Sequence, residues 1–166
     1  MNVVNALFEP NTLTTIHAYE QYLHPCDDCK VCRKHLRCKY TDAMQPVFKA
    51  LKETNTLIIA SPIYFGALTD QLMRIINRFQ SLFEAKFTHE KTFTTIDNLI
   101  LISTCASTDK TMFQGATLTL DILKKLFNSK NTLSLTLTNT ESIKDITTTY
   151  KEAINTFKQT LKKELI

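Results

Sequence analysis

The chain has 166 residues, 43% of them hydrophobic and 22% charged, with a net charge of +4, which suits one folded domain (1–166) with a sizeable core. No apolar run approaches the roughly 20 residues that cross a bilayer, and the N-terminus lacks a signal-peptide pattern, so a cytoplasmic protein without a membrane partner is expected. The charge is too small and too local for a nucleic-acid face, and two glycines are too few for a G-x-G-x-x-G or Walker phosphate loop.

In chain order, Leu13 to Ala18 reads as a strand leading into a cysteine-rich loop. Asp42 is placed to cap a helix whose inner face is Met44, Val47, Phe48 and Leu51; Pro46 falls in its first turn, where a missing N–H is tolerated. Thr56 to Ala60 is a near-continuous apolar run, the pattern of a strand covered on both faces. Leu68, Leu72, Ile75, Ile76, Phe79, Leu82 and Phe83 recur at helical spacing. Leu99 to Ser103 predicts a second buried strand, and Met112 to Asn128 a helix through Ala116, Leu120, Leu123 and Phe127. Leu133, Leu135 and Leu137 alternate as in a more peripheral strand, and a last helix carries Ile143, Ile146, Tyr150, Ala153, Ile154, Phe157 and Leu161. Strands alternating with helices imply a parallel α/β sheet with crossover helices. Ligands of such sheets sit beyond the carboxyl ends of the strands, where both Ser61-Pro62 and Thr104-Cys105-Ala106-Ser107 fall.

Four of the five cysteines lie close together, as Cys26-x2-Cys29-x2-Cys32-x5-Cys38. Without an export signal this spacing points to metal or redox chemistry rather than a disulfide framework. A compact, chain-local set of four thiolates is what a [4Fe–4S] cluster wants, whereas structural zinc more often uses two separated pairs. Reduced, unliganded thiols are the third possibility. Interleaved Lys30, Arg33, Lys34, Arg37 and Lys39 are expected to lower thiolate pKa values, with Asp27 and Asp28 opposing them. His24 and His35 flank the array as spare ligands.

In Ser61-Pro62-Ile63-Tyr64-Phe65-Gly66, Pro62 is expected to turn the chain sharply off the strand. Backbone amides beyond it would then face a ligand's carbonyl and ring nitrogens, with Tyr64 and Phe65 as stacking surface and Gly66 allowing close approach. The plainer alternative is a strand-to-helix turn with both aromatics in the core. His17 reads as a packing residue on a strand, His89 as part of a polar loop, and Arg74 and Arg78 as a solvated helix face. Cys105 reads as an apolar filler or a ligand-side contact, since no base stands beside it in sequence.

The cysteine array, the following Asp42-Ala43-Met44, and Ser61-Pro62-Ile63-Tyr64-Phe65-Gly66 with Gln71-Leu72 and Asn77-Arg78 resemble the flavodoxin-like, NAD(P)H-dependent FMN reductase superfamily. The likeness is strongest to its iron–sulfur flavoprotein branch and runs from about residue 12 to the C-terminus. It implies a flavodoxin-like three-layer parallel sheet with helices on both faces. It also implies an FMN cradled by Ser61, Pro62, Ile63, Tyr64, Phe65 and Gly66 on one side and by Thr104, Cys105, Ala106 and Ser107 on the other. Cys26, Cys29, Cys32 and Cys38 would hold a [4Fe–4S] cluster exchanging electrons with FMN, often across a subunit contact. NAD(P)H as donor, quinone-type or protein acceptors and a homo-oligomer (dimer or tetramer) come with the resemblance.

Three features depart from the family pattern. Its first strand and phosphate loop do not precede Leu13, Asn2 to Phe8 resemble the tail of its first helix, and Asn77 stands where family members usually carry Asp. The expectation is thus a chain truncated relative to the family, or one that rebuilds its first strand from Asn2 to Phe8. The alternative functions are a degenerate, non-catalytic remnant of the fold or a four-cysteine metal-binding module.

Overall fold

The computed structural model describes residues 2–20 and 22–165. Its centre is β3 (Asn98–Thr104), flanked in parallel by β1 (Thr56–Tyr64) and β4 (Asn131–Leu137). A two-residue strand, β2 (Ala67–Leu68), pairs antiparallel with the end of β1, giving the order β2-β1-β3-β4. Leu99-Ile100-Leu101-Ile102 is buried throughout because successive side chains enter opposite faces, both of them covered. Leu99 and Leu101 join one core with Ile59, Met44 and Val47 of α3 (Met44–Glu53), Ile75 of α4 (Asp70–Arg78), and Leu120 and Phe127 of α6 (Gln114–Phe127). Ile100 and Ile102 join the other, with Val3 and Leu7 of α1 (Asn2–Leu7) and Ile154, Phe157 and Leu161 of α8 (Lys151–Glu164). These are the three expected layers. In β4, Leu135 and Leu137 are buried while Ser134 and Thr136 are exposed, as the alternation predicted for a peripheral strand.

Four expectations are corrected. Leu13 to His17 form no strand, and Ala18–Glu20 make a 3-10 turn. A strand needs a hydrogen-bonding neighbour, and among the described residues none lies beside this segment; His17 is correspondingly exposed rather than packed on a strand. The rebuilt first strand is likewise not formed, since Asn2–Leu7 are helical.

Pro62 does not divert the chain. β1 runs through it, with Pro62 opposite Thr104. Its outer side has no strand against Thr56 to Pro62 among the described residues, an edge position where a missing N–H breaks no ladder. Finally, the helical spacing from Leu68 to Phe83 is divided: Leu68 lies in β2, and α4 gives way at Phe79 to α5 (Gln80–His89). Two shorter helices, α2 (Val31–His35) and α7 (Ile146–Thr149), complete the chain. No described helix is long and apolar enough to cross a membrane.

Candidate functional site

The true turn after β1 is Phe65-Gly66, with Tyr64 opposite Ala67. Both turn residues have positive φ, 51° and 76°, the pattern of a two-residue type I′ hairpin. Glycine adopts this freely, but a phenylalanine is an outlier there. Phe65 is fully exposed and Tyr64 59% exposed, so neither aromatic is in the core. The chain's two glycines meet at this hairpin: a Cβ on Gly115, in the first turn of α6, would stand 2.3 Å from the carbonyl oxygen of Gly66. Gly115 is a site residue that sequence reasoning missed, although it is the sole partner glycine available.

Ser61 and Ile63 are buried. The Ser61 hydroxyl accepts from Thr69 N–H (3.3 Å) and donates to the Pro62 carbonyl (2.7 Å), while Ser103 donates to the Ser61 carbonyl (2.8 Å). Thr104 continues β3 beside Pro62. Cys105 is buried; its N–H donates to the Leu137 carbonyl and its thiol to the Ser107 carbonyl. Ala106 is exposed and Ser107 half-buried. The topology thus brings 61–66 and 104–107 to one sheet end. Of these, Pro62, Tyr64, Phe65 and Ala106 present exposed surface there.

The four cysteines line one hollow with Tyr40, Arg78 and Glu84. Cys26 and Cys29 are exposed, Cys32 and Cys38 half-buried, and all are free thiols. Asp28 and Lys30, on either side of Cys29, both adopt left-handed backbone (φ 54° and 62°). Loops wound this way recur around Fe–S and phosphate sites. The segment is tied shut by Asp27, whose carboxylate accepts from Lys39 (2.7 Å) and Tyr40 (2.7 Å); these bonds hold it well below the usual carboxylate range. Tyr40 in turn stacks on His24 at 3.7 Å, which leaves His24 outside the hollow's lining.

Arg78 is not on a solvated face. It is 1% exposed and grips Asp42 through both Nη atoms, at 2.7 and 3.2 Å. Nη1 also donates to the His24 carbonyl (2.7 Å) and Nη2 to the Tyr40 carbonyl (3.4 Å). Asp42 accepts further bonds from the amides of His24 (3.0 Å) and Met44 (3.1 Å); the N-cap of α3 is Ala43 rather than Asp42, whose carboxylate reaches the first helical amide from one position earlier. Burial alone would raise the Asp42 pKa, but Arg78 and those two amides outweigh it and hold the carboxyl below its ordinary value. Arg78 stands at helical spacing from Ile75 in sequence, but that spacing alone does not separate a buried arginine from a solvated one. At Cys32, burial first and then nearby Glu84 push the thiol pKa up, so the cationic neighbours do not prevail there. Glu84 is itself held ionised by Thr88 (2.8 Å) and Arg33 (3.3 Å).

As a test of fit for a cluster, the donors are right in kind: four thiols around one hollow, beside a buried guanidinium whose Nε has no partner. The thiols do not converge, however. No three His, Cys, Asp or Glu side chains among the described residues stand together at metal-ion distances, and the enclosed space is about 20 Å³. Exposed Cys26 and Cys29 would have to swing inward.

No protein-family profile matches the chain. It is 31% identical over 80 residues to an iron–sulfur flavoprotein of Methanocaldococcus jannaschii, covering 48% of this chain and 42% of that one. Over 65 residues it is 29% identical to an iron–sulfur flavoprotein of Archaeoglobus fulgidus, covering 39% of this chain and 33% of the other. The chain resembles the iron–sulfur flavoproteins. Its match to these flavoproteins spans less than half of their length. Among solved structures, an FMN-dependent NADH-azoreductase from Bacillus anthracis bound to FMN superposes with a TM-score of 0.67 at 12% identity, over 98% of this chain and 89% of its own. An NAD(P)H:quinone oxidoreductase from Methanothermobacter marburgensis gives 0.59 at 7% identity, over 95% and 85%. The iron–sulfur flavoprotein-like chain therefore has a flavodoxin-like α/β fold.

Proposed function

We propose that this chain is an FMN-dependent oxidoreductase of the electron-transfer kind, with Cys26, Cys29, Cys32 and Cys38 as ligands of a [4Fe–4S] cluster. The observation that supports it most is the gathering of four thiols around one hollow in a chain whose sequence relatives are iron–sulfur flavoproteins. A bound FMN supplies hydride and single-electron chemistry, and a cluster supplies single-electron exchange. The chain's part at the sheet end is to offer a stacking surface through Tyr64 and Phe65, with Thr104 to Ser107 on the neighbouring strand end. NAD(P)H as donor and quinone-type or protein acceptors are parts of the same reading.

The hairpin precedes α4 and the cysteine hollow adjoins its last residue, so the two sites lie at opposite ends of that helix. Nine residues span about 13 Å at ~1.5 Å each. This separation within one chain favours a homo-oligomer in which a flavin of one copy approaches the cluster of another. Light scattering on the loaded protein tests that assembly.

Anaerobic reconstitution with iron and sulfide, followed by FMN titration and desalting, tests the cofactors. The expected result is retained yellow absorbance and about four irons per chain. Zinc uptake with no iron would support the four-cysteine metal module instead, and absence of both flavin and metal the non-catalytic remnant. The unconverged thiols favour that second reading.

A further inference from the structure

Large apolar side chains left in water gather on two neighbouring helices. Phe83 and Phe87 stand one turn apart on α5, their rings tilted together at 4.6 Å, and Leu118 and Ile122 stand one turn apart on α6; all four are between 39% and 62% exposed. Lys86 joins the two sets. Its ammonium donates to the Lys125 carbonyl, to the Leu126 carbonyl (3.0 Å) and to Asn128 Oδ1 (2.5 Å) at the end of α6, and it lies 5.3 Å from the Phe87 ring. The aromatic pair thus adjoins the last turn of α6, and Ile122 is one turn back from Leu126. Single exposed apolar residues are ordinary, but a group of large ones on one face marks a surface that binds something.

The charges beside Ile122 point to what covers it. Asp121 precedes it and Lys124 and Lys125 follow. All three are exposed, and none belongs to an ion pair among the described residues. An acid before the apolar centre and bases after it form an order that complements its own reverse. Two α6 helices crossing antiparallel at Ile122 set each copy's Asp121 beside the other copy's Lys124 and Lys125, twice over by symmetry. A parallel crossing would set like charges together.

We propose that the chain pairs with a second copy of itself about a two-fold axis at Ile122. Leu118, Ile122, Phe83 and Phe87 form the apolar centre, and Asp121 opposite Lys124 and Lys125 forms the polar rim. Gly115, Leu118, Ile122 and Lys125 follow at helical spacing on one exposed stripe of α6. That stripe starts against Gly66, so the Tyr64-Phe65 tip lies at the margin of the interface. The pairing gives a surface to the homo-oligomer of the preceding reading but needs neither flavin nor cluster, so the two stand or fall separately.

Sedimentation equilibrium on the full chain, free of metal and flavin, tests the pairing. Wild type is expected to form a dimer or a larger species built from it. Ile122→Asp should raise the dissociation constant on the order of thirtyfold, as loss of an interface anchor does, with an unchanged far-ultraviolet circular dichroism spectrum. The charges are tested by mixing. Asp121→Lys leaves three cations around Ile122, and Lys124→Asp with Lys125→Asp leaves three anions, so each variant alone should be monomeric and an equimolar mixture should associate. A wild-type chain that is monomeric at every concentration overturns the proposal, as does a dimer that all these substitutions leave intact. If Ile122→Asp fails to fold, the mixing experiment decides: association of the mixture but of neither variant alone supports the pairing, and a mixture that stays monomeric overturns it.

Discussion

Asp42 and Arg78 stand 36 positions apart in sequence yet share a bidentate ion pair, with Asp42 12% and Arg78 1% exposed. Breaking such a pair from one side leaves a buried charge uncompensated, at a cost of about 3–5 kcal/mol. Asp42→Asn is therefore expected to lose that much in urea denaturation at neutral pH. The Asp42 pKa is lowered in the fold from 3.8. Its contribution is thus present above about pH 4 and lost as pH falls through the lower folded value; Asp42→Asn should lack that acid-sensitive component. Phe65 makes the opposite prediction. Its left-handed backbone costs of order 1–2 kcal/mol, and its ring is bare. Phe65→Asn should stabilise the metal-free, flavin-free protein by about 1 kcal/mol while weakening FMN binding, measured by melting and by flavin titration.

At the scale of elements, the hairpin and the start of α6 are built against each other. Gly115→Ala would place a methyl 2.3 Å from the Gly66 carbonyl oxygen. Backbone cannot yield as a side-chain tip does, and overpacking of this kind costs about 1–3 kcal/mol. The variant should melt lower and displace the Tyr64-Phe65 tip. On the same face of the sheet, Phe127 is fully buried and meets Phe79 edge-on at 5.6 Å. Phe127→Ala should cost about 3–5 kcal/mol in equilibrium unfolding. The main strands and helices from Thr56 onward followed from periodicity, since alternation and 3.6-residue spacing are local properties, but the short strand at Leu68 and the break at Phe79 did not. The segment Leu13 to Ala18, read as a strand, shows the limit: apolar spacing proposes a strand, but only a neighbouring strand makes one.

For the molecule as a whole, ligand linkage ties the proposed function to stability. A ligand that binds only the folded state adds about 2.7 kcal/mol at 100 times its Kd. FMN at that excess should raise the melting temperature by several degrees, and its removal should reverse the gain. Gly115→Ala, by displacing the hairpin tip, is expected to lose that FMN-induced shift, which would connect the hairpin's placement to flavin binding.

The local pattern of residues alone determined the layered α/β architecture, because alternation and helical spacing depend on side chains close together in the chain. It did not reveal that β1 continues through Pro62 into a two-residue hairpin, that Gly66 and Gly115 touch, or that Arg78 is buried. Each of those depends on what stands opposite: a second strand, a helix start 49 positions away, a carboxylate 36 positions away. An arginine on a helix is solvated or entombed according to the partner that folding brings to it, and only the tertiary structure holds that information.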